Sequence, residues 1–362
     1  MSGAKAAPMG VIRQDVRDLH AYPVAPAEGL VKLDLMENPY PLPPELARAL
    51  GQHLGTVALN RYPPGEPADF KRRLAVQAGL PPGSALLLGN GSDELIHLVI
   101  QACAGPETTV LSPWPGFSMY RLIAAQDRCR FVAADLRADF TLDLHAFLAA
   151  VHKCRPAVVF LAYPNNPTGN CFERAAIDAI LDAAPGLVVV DEAYLPFARQ
   201  TWIGELPRRP NLLVLRTLSK LGLAGLRLGY LCGAPELIAQ FDKIRPPFNV
   251  NSLTLAAVDF LLDHVPVLDA QAAAIRTSRA ALIARLREWA RTRPGAAVFD
   301  SEANFFLLRV GDAPGVFADL LRQGILVKDV SASHPLLQGC LRITVGTESE
   351  NARLLQALES GT

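Results

Sequence analysis

Between residues 85 and 232 the chain repeats one unit: a short apolar run without polar alternation, a polar or glycine-rich turn, then a helical pattern. The runs are 85–88, 108–111, 157–161, 187–190, 212–215 and 229–232. Strands buried on both faces read as continuous apolar runs, and strands that alternate with helices pair in parallel. The repeat therefore predicts an α/β fold with a mostly parallel sheet sandwiched by helices. Ligands of such sheets collect beyond the carboxyl ends of the strands. The chain's polar motifs lie at those ends, so the topology gathers them into one site.

The flanks have another character. Residues 1–30 read as an irregular arm, because Pro8, Pro23 and Pro26 discourage helix. Residues 44–54 and 70–78 read as helices. After residue 250 come helical stretches at 254–262 and 270–291, the second with Arg276, Arg279, Arg285 and Arg287 on solvent-facing turns. Strands at 305–310, 325–327 and 341–345 then surround a helix at 314–322. The expected division is an arm with part of a small domain over 1–44, a large domain over 45–250, and a small α+β domain over 251–362.

Composition narrows the function classes. Lys plus Arg and Asp plus Glu both number 35, so no net charge draws the chain to nucleic acid or to an anionic membrane. No apolar stretch of membrane-spanning length lacks a charge or a proline. Residues 1–9 have no long apolar core and do not read as a secretory signal. Six scattered cysteines without a Cys-x-x-Cys pair read as reduced thiols of a cytoplasmic protein, and seven histidines without ligand spacing predict no metal site.

Lys220 lies five residues beyond the 212–215 run, in Arg216-Thr217-Leu218-Ser219-Lys220-Leu221-Gly222-Leu223-Ala224-Gly225-Leu226-Arg227. A lysine at the end of a buried strand is costly unless its charge is removed or matched. It is either a surface lysine or an amine that condenses with an aldehyde cofactor, with Ser219 and Arg227 holding an anionic group beside it. Gly89-Asn90-Gly91-Ser92-Asp93-Glu94 opens a helix. It is either an ordinary capped helix with Ser92 or Asp93 as cap, or an anion cradle of backbone N–H groups. Asn165-Asn166-Pro167-Thr168-Gly169 offers an amide donor to a ring oxygen, or is a plain Asn-Pro turn. Asp191-Glu192-Ala193-Tyr194 follows four apolar residues. Its buried acid needs a cationic or hydrogen-bonding partner, which a protonated pyridine nitrogen supplies, or else the acid pair caps the next helix. Tyr62, Phe117 and Trp114 are aromatics for which simple packing is the alternative. Arg342, in Leu341-Arg342-Ile343-Thr344-Val345-Gly346-Thr347, suits bidentate capture of an anion or sits on an edge strand.

Taken together these segments resemble the pyridoxal-phosphate (PLP) aminotransferases of fold type I. The order of the motifs, together with Tyr22, Leu33-Asp34-Leu35-Met36-Glu37-Asn38-Pro39 and Ala303-Asn304-Phe305, is similar to the histidinol-phosphate aminotransferase family over residues 20–350. The resemblance implies Lys220 as the Schiff-base lysine and Asp191 as partner of the pyridine nitrogen. It implies Asn166 and Tyr194 at the ring oxygen, and Phe117 stacked on the ring, with Trp114 a less well aligned candidate. Gly91, Ser92, Asp93, Ser219 and Arg227 fall around the phosphate, and Tyr62 reaches the phosphate of a second subunit in a homodimer. Tyr22, Asn166, Lys328 and Arg342 fall to the substrates, histidinol phosphate and glutamate or 2-oxoglutarate. Another aminotransferase, aromatic or general, a threonine-phosphate decarboxylase, or a non-catalytic PLP-binding regulator are the alternatives on the same scaffold. Three departures stand out. The loop from Lys220 to Arg227 is one residue shorter than the common form, which requires a tighter path. Lys328 replaces a frequent arginine, and Phe248 stands where a pocket tyrosine is common.

Overall fold

The computed structural model describes residues 7, 9–19, 21, 25–105 and 107–360. Its strands are β1 (Val31–Lys32), β2 (Ala85–Asn90), β3 (Thr109–Trp114), β4 (Arg130–Asp135), β5 (Val158–Ala162), β6 (Leu187–Asp191), β7 (Leu212–Thr217), β8 (Leu228–Gly233), β9 (Ala297–Val298), β10 (Phe305–Arg309), β11 (Ile325–Leu326), β12 (Lys328–Asp329) and β13 (Cys340–Thr344). Seven form one sheet in the order β2-β8-β7-β6-β5-β3-β4. Strand β8 runs antiparallel to both neighbours, and the other pairings are parallel. The mostly parallel α/β sheet read from the apolar runs is present.

Each run feeds two cores at once. Val159, Leu161, Val188, Val190, Leu212 and Val214 join a cluster on one face of the sheet. The alternate residues Val158, Phe160, Val189, Leu213 and Leu215 join a second on the other. All of them are buried, at about 1.5–3 kcal/mol for each fully buried aliphatic side chain. Two apolar faces do not by themselves pin strand register. The polar residues at the strand ends do so: sliding β6 by one residue would turn the Asp191 side chain to the opposite face of the sheet, away from Tyr120.

Strand β4 was not among the expected strands. It is an edge strand with one neighbour, and Arg130, Ala133 and Asp135 along it face solvent, so its apolar stretch is short and half alanine, Phe131-Val132-Ala133-Ala134. Beyond the large sheet, β12-β13-β10-β9 form a four-stranded antiparallel sheet, and β1 pairs with β11 in parallel. Leu33 and Met36 pack in the same cluster as Ile275, Leu286, Phe306, Ile343 and Leu354, which ties the segment after the arm to the C-terminal third. The long helix Val265–Arg291 starts earlier than expected, with Pro266 in its first turn, where its missing N–H costs nothing. Arg276, Arg285 and Arg287 are exposed as expected. Arg279 is instead half-buried and donates to the Ala303 carbonyl oxygen at 2.6 Å.

Candidate active site

The strand pairings bring the ends of β2, β3, β5, β6 and β7 to one edge of the sheet, where a cavity of about 460 Å³ opens. Ser92, Phe117, Asn166, Asp191, Tyr194 and Lys220 are among the residues lining it, as are Asp93, Ser219 and Arg227.

Lys220 follows β7 on a turn that the shortened loop shapes. Residues Ser219–Leu223 form one π-helical turn, closed by the Leu223 N–H to the Leu218 carbonyl at 3.2 Å, and a 3-10 turn, Ala224–Leu226, follows. The loop thus takes a wide turn and then a tight one on its way from Lys220 to Arg227. Gly222 makes this possible: its φ is +119°, and a Cβ there would lie 2.9 Å from the Asn38 side-chain nitrogen. The half-buried Lys220 amine donates to the Leu35 carbonyl oxygen at 3.0 Å. Burial and the nearby Arg342 guanidinium lower its pKa to about 8. In the protein without cofactor, Lys220 should therefore react with an amine-directed reagent at half-maximal rate near pH 8, where an ordinary lysine needs about 10.4. A labelling profile that follows the ordinary lysine would count against the site as described.

Asp191 ends β6, buried, and both its oxygens are engaged. The Tyr120 hydroxyl donates to Oδ2 at 2.6 Å and the Ala193 N–H to Oδ1 at 3.0 Å. Burial without an ion-pair partner among the described residues raises its pKa to about 6, the two hydrogen bonds opposing the rise. Glu192, one residue on, faces the other way and pairs with Arg216 at 2.9 Å while accepting from the Trp202 N–H. The two acids therefore do not cap a helix together.

Asn166 connects two cavity walls. Its side-chain nitrogen donates to the Tyr194 hydroxyl at 3.0 Å, and its oxygen accepts from Arg342 at 2.8 Å. Arg342, buried on β13, also donates to the Asp34 carbonyl oxygen at 2.7 Å. Lys328 does not line the cavity, but it is the cross-strand partner of Arg342. Directly opposed residues share a face, so the two cations lie side by side.

At the β2 end the helix Ser92–Cys103 starts after Gly91 with no side-chain cap, so neither Ser92 nor Asp93 plays the capping part. Gly91 has φ +84°, and a Cβ there would meet the Arg227 guanidinium at 2.7 Å. Arg227 itself adopts φ +50°, which costs a non-glycine residue about 1–2 kcal/mol. Its guanidinium donates to the Ser219 hydroxyl at 3.4 Å and lies 3.8 Å from Asp93. An uncapped helix start, two hydroxyls and a guanidinium make a donor set suited to a phosphate.

Phe117 lines the cavity, whereas Trp114 packs edge-on against Phe131 of β4. Tyr62 stands apart: it is 82% exposed and stacks on Phe248, itself 41% exposed, with ring centroids 4.8 Å apart. Neither ring lines the cavity of its own chain. Tyr22 lies outside the described residues. Sequence reading gave no role to Tyr120, which bonds Asp191, or to the Leu35 carbonyl that anchors Lys220. Tyr120 sits three residues after Phe117, one helical turn along, a spacing that puts the two rings together but does not reveal what the hydroxyl bonds.

These residues fit PLP. A buried carboxylate without a cation matches a pyridinium, the amine matches an aldehyde, and the Gly91–Ser219–Arg227 cradle matches a phosphate. Among the described residues no helix is long and apolar enough to cross a membrane, and no three His, Cys, Asp or Glu side chains group as metal ligands.

Residues 28–358 match the family model "Aminotransferase class I and II". The chain is 53% identical over 353 residues to histidinol-phosphate aminotransferase 1 of Burkholderia lata, covering 97% of this chain and 98% of that protein. It is 49% identical to the histidinol-phosphate aminotransferase of Paracidovorax citrulli, over 99% of this chain and all of the other. Among solved structures it resembles histidinol-phosphate aminotransferase from Sinorhizobium meliloti in complex with pyridoxal-5'-phosphate, with a TM-score of 0.85, 26% identity, and coverage of 99% of this chain and 98% of that one.

Proposed function

Because this chain belongs to the aminotransferase class I and II family, we propose that it moves an amino group from L-histidinol phosphate to 2-oxoglutarate. The products are imidazole-acetol phosphate and L-glutamate, in the transamination of histidine biosynthesis, and PLP is the cofactor. The observation that carries this reading is the convergence of Lys220, Asp191 and Asn166 on one cavity, with Arg342 behind its wall donating to Asn166. The full-length relatives named for this reaction support it.

When bound, the cofactor supplies an aldehyde that takes up an amino group and a protonated ring that draws electrons from the substrate Cα. The chain's own residues do the rest. Lys220 Nζ takes the proton from the Cα of histidinol phosphate and, in the second half of the cycle, returns one to the Cα that becomes glutamate. Its lowered pKa keeps a usable fraction of free amine near neutral pH. Asp191 keeps the ring-nitrogen proton in place. Asn166 and Tyr194 orient the ring oxygen, and Phe117 covers one ring face. Ser92, Ser219 and Arg227, with the turn at Gly91 and Asp93, hold the phosphate. Arg342 captures the substrate's acid group, with Lys328 beside it, and Tyr22 is the third residue assigned to the substrates. We also place the enzyme in the cytoplasm as a homodimer, in which the exposed Tyr62 reaches the second subunit's phosphate site; its exposure beside Phe248 supports that reading.

The test is spectroscopic. The PLP-loaded enzyme should lose its visible absorbance on addition of histidinol phosphate without a keto acid, and regain it on addition of 2-oxoglutarate with glutamate formed. Faster bleaching by phenylalanine, or CO2 release from phosphothreonine, would transfer the reading to another aminotransferase or to a decarboxylase.

A further inference from the structure

Tyr120 stands behind the cavity wall, in the helix Ser118–Gln126, and is fully buried. Its ring stacks on Phe160 at 4.5 Å and 15° between planes, and meets Phe117 edge-on at 5.3 Å. A phenylalanine would keep all of that packing. What a phenylalanine lacks is the hydroxyl, and a buried hydroxyl is costly unless it is bonded. Here it donates to Asp191 Oδ2 at 2.6 Å, a length typical of an O–H donor on a charged carboxylate.

The geometry makes this hydroxyl selective. Among the described residues it has no hydrogen-bond partner other than Asp191, and its nearest ring neighbours are Phe160 and Phe117. If Asp191 were protonated toward Tyr120, two hydrogens would compete for one contact, and the phenol hydrogen would have no other acceptor. The second oxygen of Asp191 is already occupied by the Ala193 N–H. With the proton on Oδ1 the neutral acid still accepts from Tyr120 at Oδ2, but a hydrogen bond to the charged carboxylate is the stronger one, so the contact favours the ionised form.

We propose that Tyr120 is the positioning residue for Asp191, a buried phenol that fixes the carboxylate toward the cavity and holds it in its charged form for a cationic ring nitrogen. This rests on the assignment of Asp191 above. The other titratable groups that bear on the pair are Asp93, Glu192 and Tyr194. Lys220 and Arg227 line the same cavity, and among the described residues the side chain that donates to Asp191 is Tyr120.

The measurement is the titration of Asp191 in the cofactor-free enzyme, by carbon NMR of protein labelled at the aspartate carboxyl, with the signal assigned by its loss in Asp191→Asn. Wild type should titrate near pH 6, and Tyr120→Phe should raise that midpoint by about one pH unit, as loss of a hydrogen bond to the charged form does. A second arm measures PLP affinity by equilibrium dialysis. Tyr120→Phe should weaken binding about fivefold at pH 6 and less than about twofold at pH 8, following the charged fraction of Asp191. In an Asp191→Asn background the same substitution should change nothing. An unmoved or lowered midpoint, or an affinity loss that persists in that background, overturns the proposal. Because the first arm uses no cofactor, it decides on Tyr120 even if wild type fails to bind PLP, an outcome that would count against the function proposed above.

Discussion

Lys220→Ala should lose turnover by roughly 10⁴-fold or more, at or beyond the upper end of what one positioned general base contributes. Lys220 is the one amine lining the cavity among the described residues. Arg227, the other cation lining it, stays protonated at any working pH and cannot act as a base. Arg342, nearby, is equally unfit for the part. No neighbour can therefore inherit the work. The variant should still fold, because the amine makes a single hydrogen bond, to the Leu35 carbonyl. Removing a half-buried cation also removes a desolvation cost, so its melting temperature without cofactor should equal or exceed that of wild type. It should retain PLP through Asp191, Ser219 and Arg227 but not covalently. Borohydride treatment followed by denaturation should leave PLP on the wild-type chain and release it from the variant. An active Lys220→Ala enzyme, or one that keeps PLP after denaturation, would defeat the assignment of Lys220.

The stretches that were legible in the sequence share one physical cause. A strand buried on both faces must be apolar at successive positions, so β5, β6 and β7 announce themselves, and the first polar residue after each marks the sheet edge where ligands bind. Asp191 was found that way, whereas Asn166 and Lys220 lie five residues beyond the 157–161 and 212–215 runs and were singled out by the turn motifs that hold them. Strand β4 was passed over because its apolar stretch, Phe131-Val132-Ala133-Ala134, is half alanine, which suits a helix as readily as a half-exposed edge strand. Tyr120 was passed over because its ring packs as any core aromatic does; only the fold places its hydroxyl beside a carboxylate 71 residues away. The Leu35 carbonyl has no side-chain signature at all. Lys328 was placed near the substrates by resemblance, and strand register then set it beside Arg342. Tyr62 shows the converse case, for a single chain leaves it on the surface with no cavity to serve.

Asp191→Asn should lower turnover on the order of 10³-fold, the loss typical when one preorganised electrostatic partner is removed from a buried site. The exchange keeps the shape of the side chain, so the effect isolates the charge. The same charge is a liability in the cofactor-free enzyme. Its folded pKa of about 6 lies above the ordinary carboxylate value of 3.8. In that direction the group favours the folded state most below about pH 4, and that contribution is lost as pH rises through 6. At neutral pH the cofactor-free protein thus carries a buried anion with no ion-pair partner among the described residues, and on the proposed assignment a bound ring cation would offset it. PLP should accordingly raise the melting temperature of wild type at pH 7.5 by more than it raises that of Asp191→Asn. As pH falls below 6, wild-type affinity for PLP should decline by up to about tenfold per unit from this group. The cofactor phosphate titrates in the same range and contributes to both proteins equally, so the difference between the two curves is the quantity to measure. Parallel curves, with equal thermal shifts on PLP binding, would mean that Asp191 does not face the ring nitrogen, and the electron-withdrawing half of the mechanism would need another residue.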